Sequence, residues 1–428
     1  MRGKIEPYER GQLPTAVVIN LSYTGLGLVR SLGRRGIPVI GLSSGRPGQY
    51  GKFSRYCRAQ LCPDSRNAPG ELLDHLLQLG RELRTPAILF PTSDFEVLLI
   101  ARNQAALREH FRFPQPDTAV VETVMNKAEL SRRAEECNVP VPATCVCRNA
   151  TEVRAAGESV RYPCVIKPVH SYLWHEGDAW NLVGQAKAIK ATSREQLESS
   201  YLRVSRVTPE VLVQEFVPGQ DQDIFVAGLY IGSDRRLRCA FTASKLLQYP
   251  RETGTGCVVE RVENAEVLSL ATRLLEHLNY SGIAEVEFKR DAASGKYKLI
   301  EVNPRFWDWH QLSAANGMDL GYTAYLDLSG QPPQQPIGDG AGAWWVADEA
   351  LLTYLRDRVR RRTGSRELAS PRLGRLLLRR NMWGIFSWSD PLPFVVFSAD
   401  QARATLRSMG RRLFTQRKRL HAGDSVPR

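Results

Sequence analysis

Apolar residues in this chain fall into short runs whose spacing changes along its length. TAVVIN (15–20) is a brief apolar run bounded by turn residues, which predicts a buried strand. A glycine-containing turn, an amphipathic stretch through GLGLVRSLGRR and a second run, IPVIGLSS (37–44), complete a strand, helix and parallel strand. ELLDHLLQLGRELRTPAILFPTSD (71–94) repeats the pattern, with leucines at helical spacing ahead of a buried strand. Together these predict an N-terminal open α/β domain over 1–118. The first turn is not GxGxxG, so a dinucleotide fingerprint is absent; Gly25 and Gly27 serve a tight turn and helix packing.

The pattern then changes. MNKAELSRRAEECNVPVPAT (125–144) reads as a helix with an exit marked by Pro140 and Pro142. Strand-like runs follow: YPCVIKPV, AKAIKAT, VLVQEFV, DIFVAGLYI and LRCAFTASKLL. A helix, NAEVLSLATRLLEHLNY, leads to the pair GIAEVEFKRD and KYKLIEVNPRF. This alternation predicts an α+β unit over 119–330. Dense proline and glycine in DLSGQPPQQPIGDGAG (327–342) predicts a linker, so that 331–428 is a linker and basic C-terminal region. No internal repeat is present.

Charge sharpens that division. From Arg356 onward there are 18 Lys/Arg and 5 Asp/Glu, a net of +13, which equals the net charge of the whole chain. The first 355 residues therefore balance to zero. The runs RDRVRRRTGSR, RLGRLLLRR and RRLFTQRKRL form either a solvated or self-docked appendix or a module for an anionic partner: nucleic acid, membrane surface or acidic polymer. SWSDPLPFVVF (387–397), between them, is apolar enough to pack on the main body. The 428 residues can bury a large core and imply two or three domains. No run approaches the length of a membrane span, and the start lacks a signal peptide's apolar region, so a cytoplasmic protein is expected. Eight cysteines without CxxC spacing read as reduced thiols, not a zinc site.

Candidate chemistry concentrates on the last strand pair. Alternation puts Glu285 with Glu287 on one face, and Glu301, Asn303 and Arg305 on one face of the next strand. If Glu287 lies beside Glu301, three oxygen ligands converge, a set suited to a hard cation such as Mg²⁺. Arg305, past Pro304, is a planar cation suited to a phosphoryl group or carboxylate. The alternative is a solvated strand face with cross-strand charge pairs. Small apolar residues between the acids, and an otherwise apolar second strand, favour an inward-facing site.

The motifs LFPTSDFEVLLIA, MNKAEL, YPCVIKP, VLVQEFVPGQDQD, QYPRETGTG, GIAEVEFKRD and IEVNPRFW follow one another over about 16–331. In that order the chain resembles the ATP-grasp superfamily, specifically its carboxylate–amine ligases and their D-aspartate-ligase-like branch. The resemblance implies a pre-ATP-grasp domain followed by a two-subdomain ATP-grasp fold with ATP between the subdomains. It also implies a small-molecule carboxylate activated as an acyl phosphate and captured by an amine, with ADP and phosphate released. By position, Glu287, Glu301 and Asn303 resemble the magnesium ligands, with two ions expected and Mn²⁺ as a substitute. Arg305 resembles the arginine that steadies the transferred phosphoryl group.

Lys127 and Lys167 match phosphate-contacting lysines, and an ammonium on the apolar strand of Lys167 is costly without an anion. Gln214 or Glu215 would contact adenine by side chain and Val217 by backbone. Asp221 would reach the ribose or merely serve a turn. Arg251, in QYPRETGTG after Lys245, is a catalytic candidate, and Gly254 and Gly256 would let amides approach an anion. Where many relatives carry a glycine-rich loop, this chain has HSYLWHEGDAWNLVGQ, with His170, Trp174, His175 and Trp180 in either a lid or a surface loop. WDWHQL departs from the family's small residue after the tryptophan; Asp308 and His310 are candidates for an ammonium partner or base, and Trp307 and Trp309 for packing. A nucleotide-binding regulatory or scaffold protein without ligase activity is the alternative class.

Overall fold

The computed structural model describes residues 13–83, 85–175, 179–184, 186–249, 254–332, 343–349, 351–353, 381–405 and 407. Its first layer is a parallel sheet ordered β3-β2-β1-β4-β5, made of β1 (Ala16–Ile19), β2 (Val39–Ser43), β3 (Arg58–Leu61), β4 (Ala87–Phe90) and β5 (Phe111–Arg112). Central AVVI and AILF are buried at every position, as expected for strands covered on both faces. The helix Pro69–Glu82 lays Leu72, Leu76 and Leu79 on one side. In such a sheet ligands collect beyond the carboxyl ends of the strands, where the order reverses. Here that is the edge bearing Asn20, Ser44, Asp64 and Asp94.

The second layer is antiparallel: β6 (Thr144–Cys147), β7 (Cys164–Pro168), β8 (Ile189–Ala191) and β9 (Val211–Glu215), in the order β6-β9-β7-β8. Two helices, Ala150–Ser159 and Arg194–Val204, close one face over Val153, Leu197 and Ile166. The third sheet contains β10 (Ile224–Ile231), β11 (Leu237–Tyr249), β12 (Thr255–Arg261), β13 (Gly282–Arg290) and β14 (Tyr297–Asn303). Helix Ala265–His277 packs Val267 and Leu274 against Leu229, Val286 and Phe288. Gly282 opens β13 at φ 108°, where a side chain would collide with the Pro114 carbonyl that receives the Ile283 N–H at 3.1 Å.

An α/β layer followed by α+β layers is the architecture the patterns predict; the C-terminal region is not. Rather than forming only a linker and appendix, residues after 342 add β15 (Trp344–Val346) and β16 (Asn381–Trp383) to the third sheet, giving β14-β13-β10-β11-β12-β15-β16. The chain then returns to the N-terminal domain, and Ile385 and Phe397 pack on Leu26, as the apolar character of 387–397 suggests. A buried ion pair fixes this return. Arg30 Nε donates to Asp390 Oδ2 at 2.9 Å, and its Nη2 donates to the Ile385 and Asp390 carbonyls at 2.7 and 3.0 Å. Ser54 Oγ and the Arg55 N–H complete the Asp390 carboxylate at 2.7 and 3.0 Å. The three basic runs lie outside the described residues, and so does the anionic partner expected for them. Among the described residues no helix is long and apolar enough to cross a membrane.

Arg30 and Asp390 are 2% and 1% exposed. Removing one partner leaves an uncompensated charge in the interior, so Asp390→Ala should destabilise the fold by about 3–5 kcal/mol. Urea denaturation followed by tryptophan fluorescence measures this loss; a change below about 1 kcal/mol would show that the pair does not hold the C-terminal return in place.

Candidate active site

The three sheets enclose a cleft of about 570 Å³. Its floor is the pair β13–β14, in register with Glu285 opposite Asn303 and Glu287 opposite Glu301. Val286, Phe288, Leu299 and Val302 face the apolar core; alternation along β13 and, past a bulge at the Glu287–Phe288 step, along the end of β14 sends the polar set into the cleft. The expected pairing of Glu287 beside Glu301 is therefore present, and a wet outer face is not: Glu285 and Glu287 are 5% and 8% exposed.

Lysines meet these acids. Lys245, from β11, forms a buried ion pair with Glu287. Lys127 opens the helix Lys127–Glu136, which Asn126 caps by accepting from two backbone amides. Its Nζ donates to Ser171 Oγ at 2.6 Å and lies 3.7 Å from Glu301 Oε2. Burial alone would raise the Glu301 carboxyl, but Lys127, Lys187, Lys245 and Lys167 together hold it well below the usual carboxylate range. Glu285 lacks that surplus: burial pushes it up to about 8 despite Lys245. Lys167, on β7, is pushed down to about 8 by burial and by the charge of Lys127.

Asn303 bridges the acids, its Nδ2 donating to Glu285 Oε2 at 2.9 Å and Glu301 Oε1 at 3.3 Å. Among the described residues no three His, Cys, Asp or Glu side chains gather into a metal cage. The oxygen donors on adjacent rungs are instead the two carboxylates and, on turning its amide away from Arg305, Asn303; this set suits Mg²⁺ because that ion keeps few protein ligands and takes phosphate and water oxygens for the rest. That Glu287 and Glu301 already face ammonium groups shows the position to be one that favours a cation.

Arg305 stands at the end of this floor. Its Nε donates to Asp94 Oδ1 at 2.5 Å, Nη1 to the Phe306 carbonyl at 3.1 Å, and Nη2 to Asn303 Oδ1 at 3.4 Å. Burial opposes its charge, yet Asp94 and the further acids Glu285 and Asp308 keep it above the ordinary arginine value. Asp94 begins the helix Asp94–Arg102, where Glu96 accepts from the Thr92 and Ser93 amides at 3.1 and 2.6 Å. Sequence reasoning did not single out Asp94; the signal was SDFE, a capping box that fixes the helix start at the edge of a parallel sheet.

Farther along the cleft, Val217 is buried in the wall. Glu215 accepts from Lys298 Nζ at 2.9 and 2.8 Å, and Gln214 Nε2 donates to Thr144 Oγ1 at 2.9 Å. Phe216, unremarked in the sequence, lines the same end, with Lys190 and Lys289 4.1 and 4.9 Å from its ring centre. Lys187 also lines the cleft; it donates to Thr255 Oγ1 at 3.3 Å and its charge acts on Glu301. Asp221 departs from its ribose role. It does not line the cleft; it is 7% exposed and accepts from Gln248 N and Nε2 at 3.0 and 3.2 Å, the turn-anchoring alternative.

His310 is likewise withdrawn, 2% exposed with Nδ1 2.7 Å from the Trp307 carbonyl, so it is neither an ammonium partner nor a base here. Trp307 and Trp309 pack on Phe241, with ring centres 6.2 and 6.1 Å away, and also border the cleft. Asp308 faces it, with Oδ1 accepting from Thr24 Oγ1 at 2.9 Å. Trp174 is buried in the core of the second layer. Arg251 and the His175 side chain lie outside the described residues.

Residues 257–326 match the family model described as carbamoyl-phosphate synthase L chain, ATP binding domain. Over 355 residues the chain is 24% identical to the D-aspartate ligase of Enterococcus faecium (strain Aus0004), covering 79% of this chain and 83% of that one. It is 24% identical over 183 residues to the D-alanine–D-alanine ligase of Ectopseudomonas mendocina (strain ymp), covering 42% and 55%. The fold is similar to an ADP complex of N5-carboxyaminoimidazole ribonucleotide synthetase, with TM-score 0.60 at 15% identity over 82% and 87% of the two chains. It is also similar to the biotin carboxylase domain of the Hydrogenobacter thermophilus 2-oxoglutarate carboxylase, with TM-score 0.60 at 14% identity over 77% and 74%.

The depressed Lys167 sets a pH dependence. Above about pH 8 its free-state ammonium is lost, whereas a bound polyphosphate favours the charged form, so binding must supply the proton. Nucleotide affinity should fall by about tenfold between pH 7 and 9, and Lys167→Arg, which stays charged, should flatten the dependence. Calorimetric titration with ATP measures it; an equally steep decline in the arginine variant would remove Lys167 from the phosphate site.

Proposed function

We propose that this chain, which has the ATP-grasp fold, is an ATP-dependent carboxylate–amine ligase that forms an acyl phosphate and releases ADP and phosphate. The observation that carries this reading is one arrangement: Glu287 and Glu301 on facing rungs, with Glu301 bridged through Asn303 to Arg305, in a cleft lined by lysines. ATP would supply the phosphoryl group that makes the carboxylate reactive, and Mg²⁺, as two ions or with Mn²⁺ in its place, would neutralise its charge. Glu287, Glu301 and Asn303 would hold the metal, with Glu301 between the two ions. Lys127 and Lys167 would hold phosphate oxygens, and Lys187 shares their field at Glu301.

Gln214, Glu215 and Val217 line the end of the cleft suited to the base. Arg305, pre-aimed by Asp94, would meet the charge that develops on the transferred group without reorganising, which is where such a cation lowers a barrier most. Arg251 is retained as a candidate for the same anion on the strength of its motif alone. Amino acids are the first carboxylates and amines to try, because the relatives include D-aspartate and D-alanine ligases. All eight cysteines are free thiols, which supports a reducing, cytoplasmic setting.

The test is release of ADP and phosphate that requires a carboxylate and an amine together, with the amide product identified by mass spectrometry. Formation of AMP and pyrophosphate would refute the mechanism. ATP binding without substrate-dependent turnover across a broad panel would point to a nucleotide-binding regulator instead. Glu301→Ala and Arg305→Ala should each lower turnover by at least about 10²-fold, the scale of losing one preorganised charge at a transition state. Wild-type rates in either variant would refute the assignment of that residue.

A further inference from the structure

Lys127, Lys167, Lys187 and Lys245 gather around Glu287 and Glu301, an excess of positive charge suited to phosphates. Past Arg305 the lining is mixed: the N-terminal domain's wall carries Asp94 together with Arg66 and the Arg46–Asp64 pair, and Asp308 stands on the loop after β14. Asp94 and Asp308 are differently committed. Asp94 is taken up by Arg305 at 2.5 Å. Asp308 is half-buried, and only its Oδ1 is engaged, by Thr24 Oγ1 at 2.9 Å; Oδ2 has no hydrogen-bond or ion-pair partner among the described residues. Beside it in the same wall, the buried indole N–H of Trp307 is also unpartnered among the described residues.

A carboxylate with one oxygen anchored and the other open, next to the arginine that would face the activated acyl group, suits a cationic ligand. Resting on the ligase reading, we propose that Asp308 receives the ammonium of the amine substrate and so selects a charged acceptor. An anchored carboxylate costs little side-chain entropy on binding, and an ammonium in this half-buried place gains a charge-assisted hydrogen bond. In the coupling step the C–N bond forms and the acyl carbon–oxygen bond to phosphate breaks. Of the two protons the ammonium gives up, one passes through Asp308 to solvent and the other leaves with phosphate.

Two small nucleophiles separate this from the ligase reading itself. Hydroxylamine is uncharged at neutral pH and hydrazine is largely protonated, and each captures an acyl phosphate, as a hydroxamate or a hydrazide. With ATP, Mg²⁺ and the panel of carboxylates at pH 7, Asp308→Asn should lower the hydrazide-to-hydroxamate ratio by at least about tenfold, the scale of one hydrogen bond to a charged group. A ratio within about twofold of wild type, including equal loss of both products, would overturn the proposal. Should Asp308→Asn fail to fold, Thr24→Val keeps the carboxylate and frees its anchor; the ratio should fall by a smaller factor, and an unchanged ratio would overturn the proposal there too. No hydroxamate from any carboxylate with the wild-type protein would instead remove the ligase reading, and the proposal with it.

Discussion

The register between β13 and β14 is the constraint on which the cleft depends. Beyond the bulge at the Glu287–Phe288 step, a slip of one residue would turn Glu301 and Asn303 into the apolar core and push Val302 into the cleft, so the register of these rungs is tightly specified. β10 holds β13 on its other side along its whole length, from Ile224 opposite Lys289 to Ile231 opposite Gly282. What register cannot supply is solvation for the carboxylates it buries. That comes from Lys245 and Lys127, and the difference between Glu301, held low, and Glu285, pushed up, follows from how many ammonium groups each one meets.

The strand pair was legible because its information is local. Alternation of Glu285, Glu287, Glu301, Asn303 and Arg305 with apolar residues assigns a face within a few positions, and Lys167 in CVIKP marks a charge that needs a partner. Contacts between distant segments were not legible. Asp94 reaches Arg305 across 211 positions and Thr24 reaches Asp308 across 284, and neither pair leaves a periodic trace. Asp221 and His310 show the opposite error. Each has a residue type suited to chemistry, but nearby backbone groups, the Gln248 amide and the Trp307 carbonyl, occupy them first. β15 and β16 are three residues each, too short for alternation to show, and they are strands only because β12 offers an edge.

The N-terminal domain is more than a neighbour to the cleft. Its parallel strands end on one edge, and the helix starts that follow β1 and β4 supply Thr24 and Asp94, which hold Asp308 and Arg305 in the segment after β14. One layer thus brings the charged side chains and another sets their direction. Such a division fixes a guanidinium more narrowly than a single strand could, since a long side chain anchored only at its own backbone samples several rotamers.

The Arg30–Asp390 pair carries a consequence for how the protein is made. A chain emerging from the ribosome presents Arg30 long before Asp390, Ile385 and Phe397 exist, so the first domain leaves the exit tunnel with a cation and an apolar patch around Leu26 facing water. Its final shape is reached only after the chain has been made as far as Phe397. The nascent chain must spend that interval with its rear surface uncovered, in reach of chaperones.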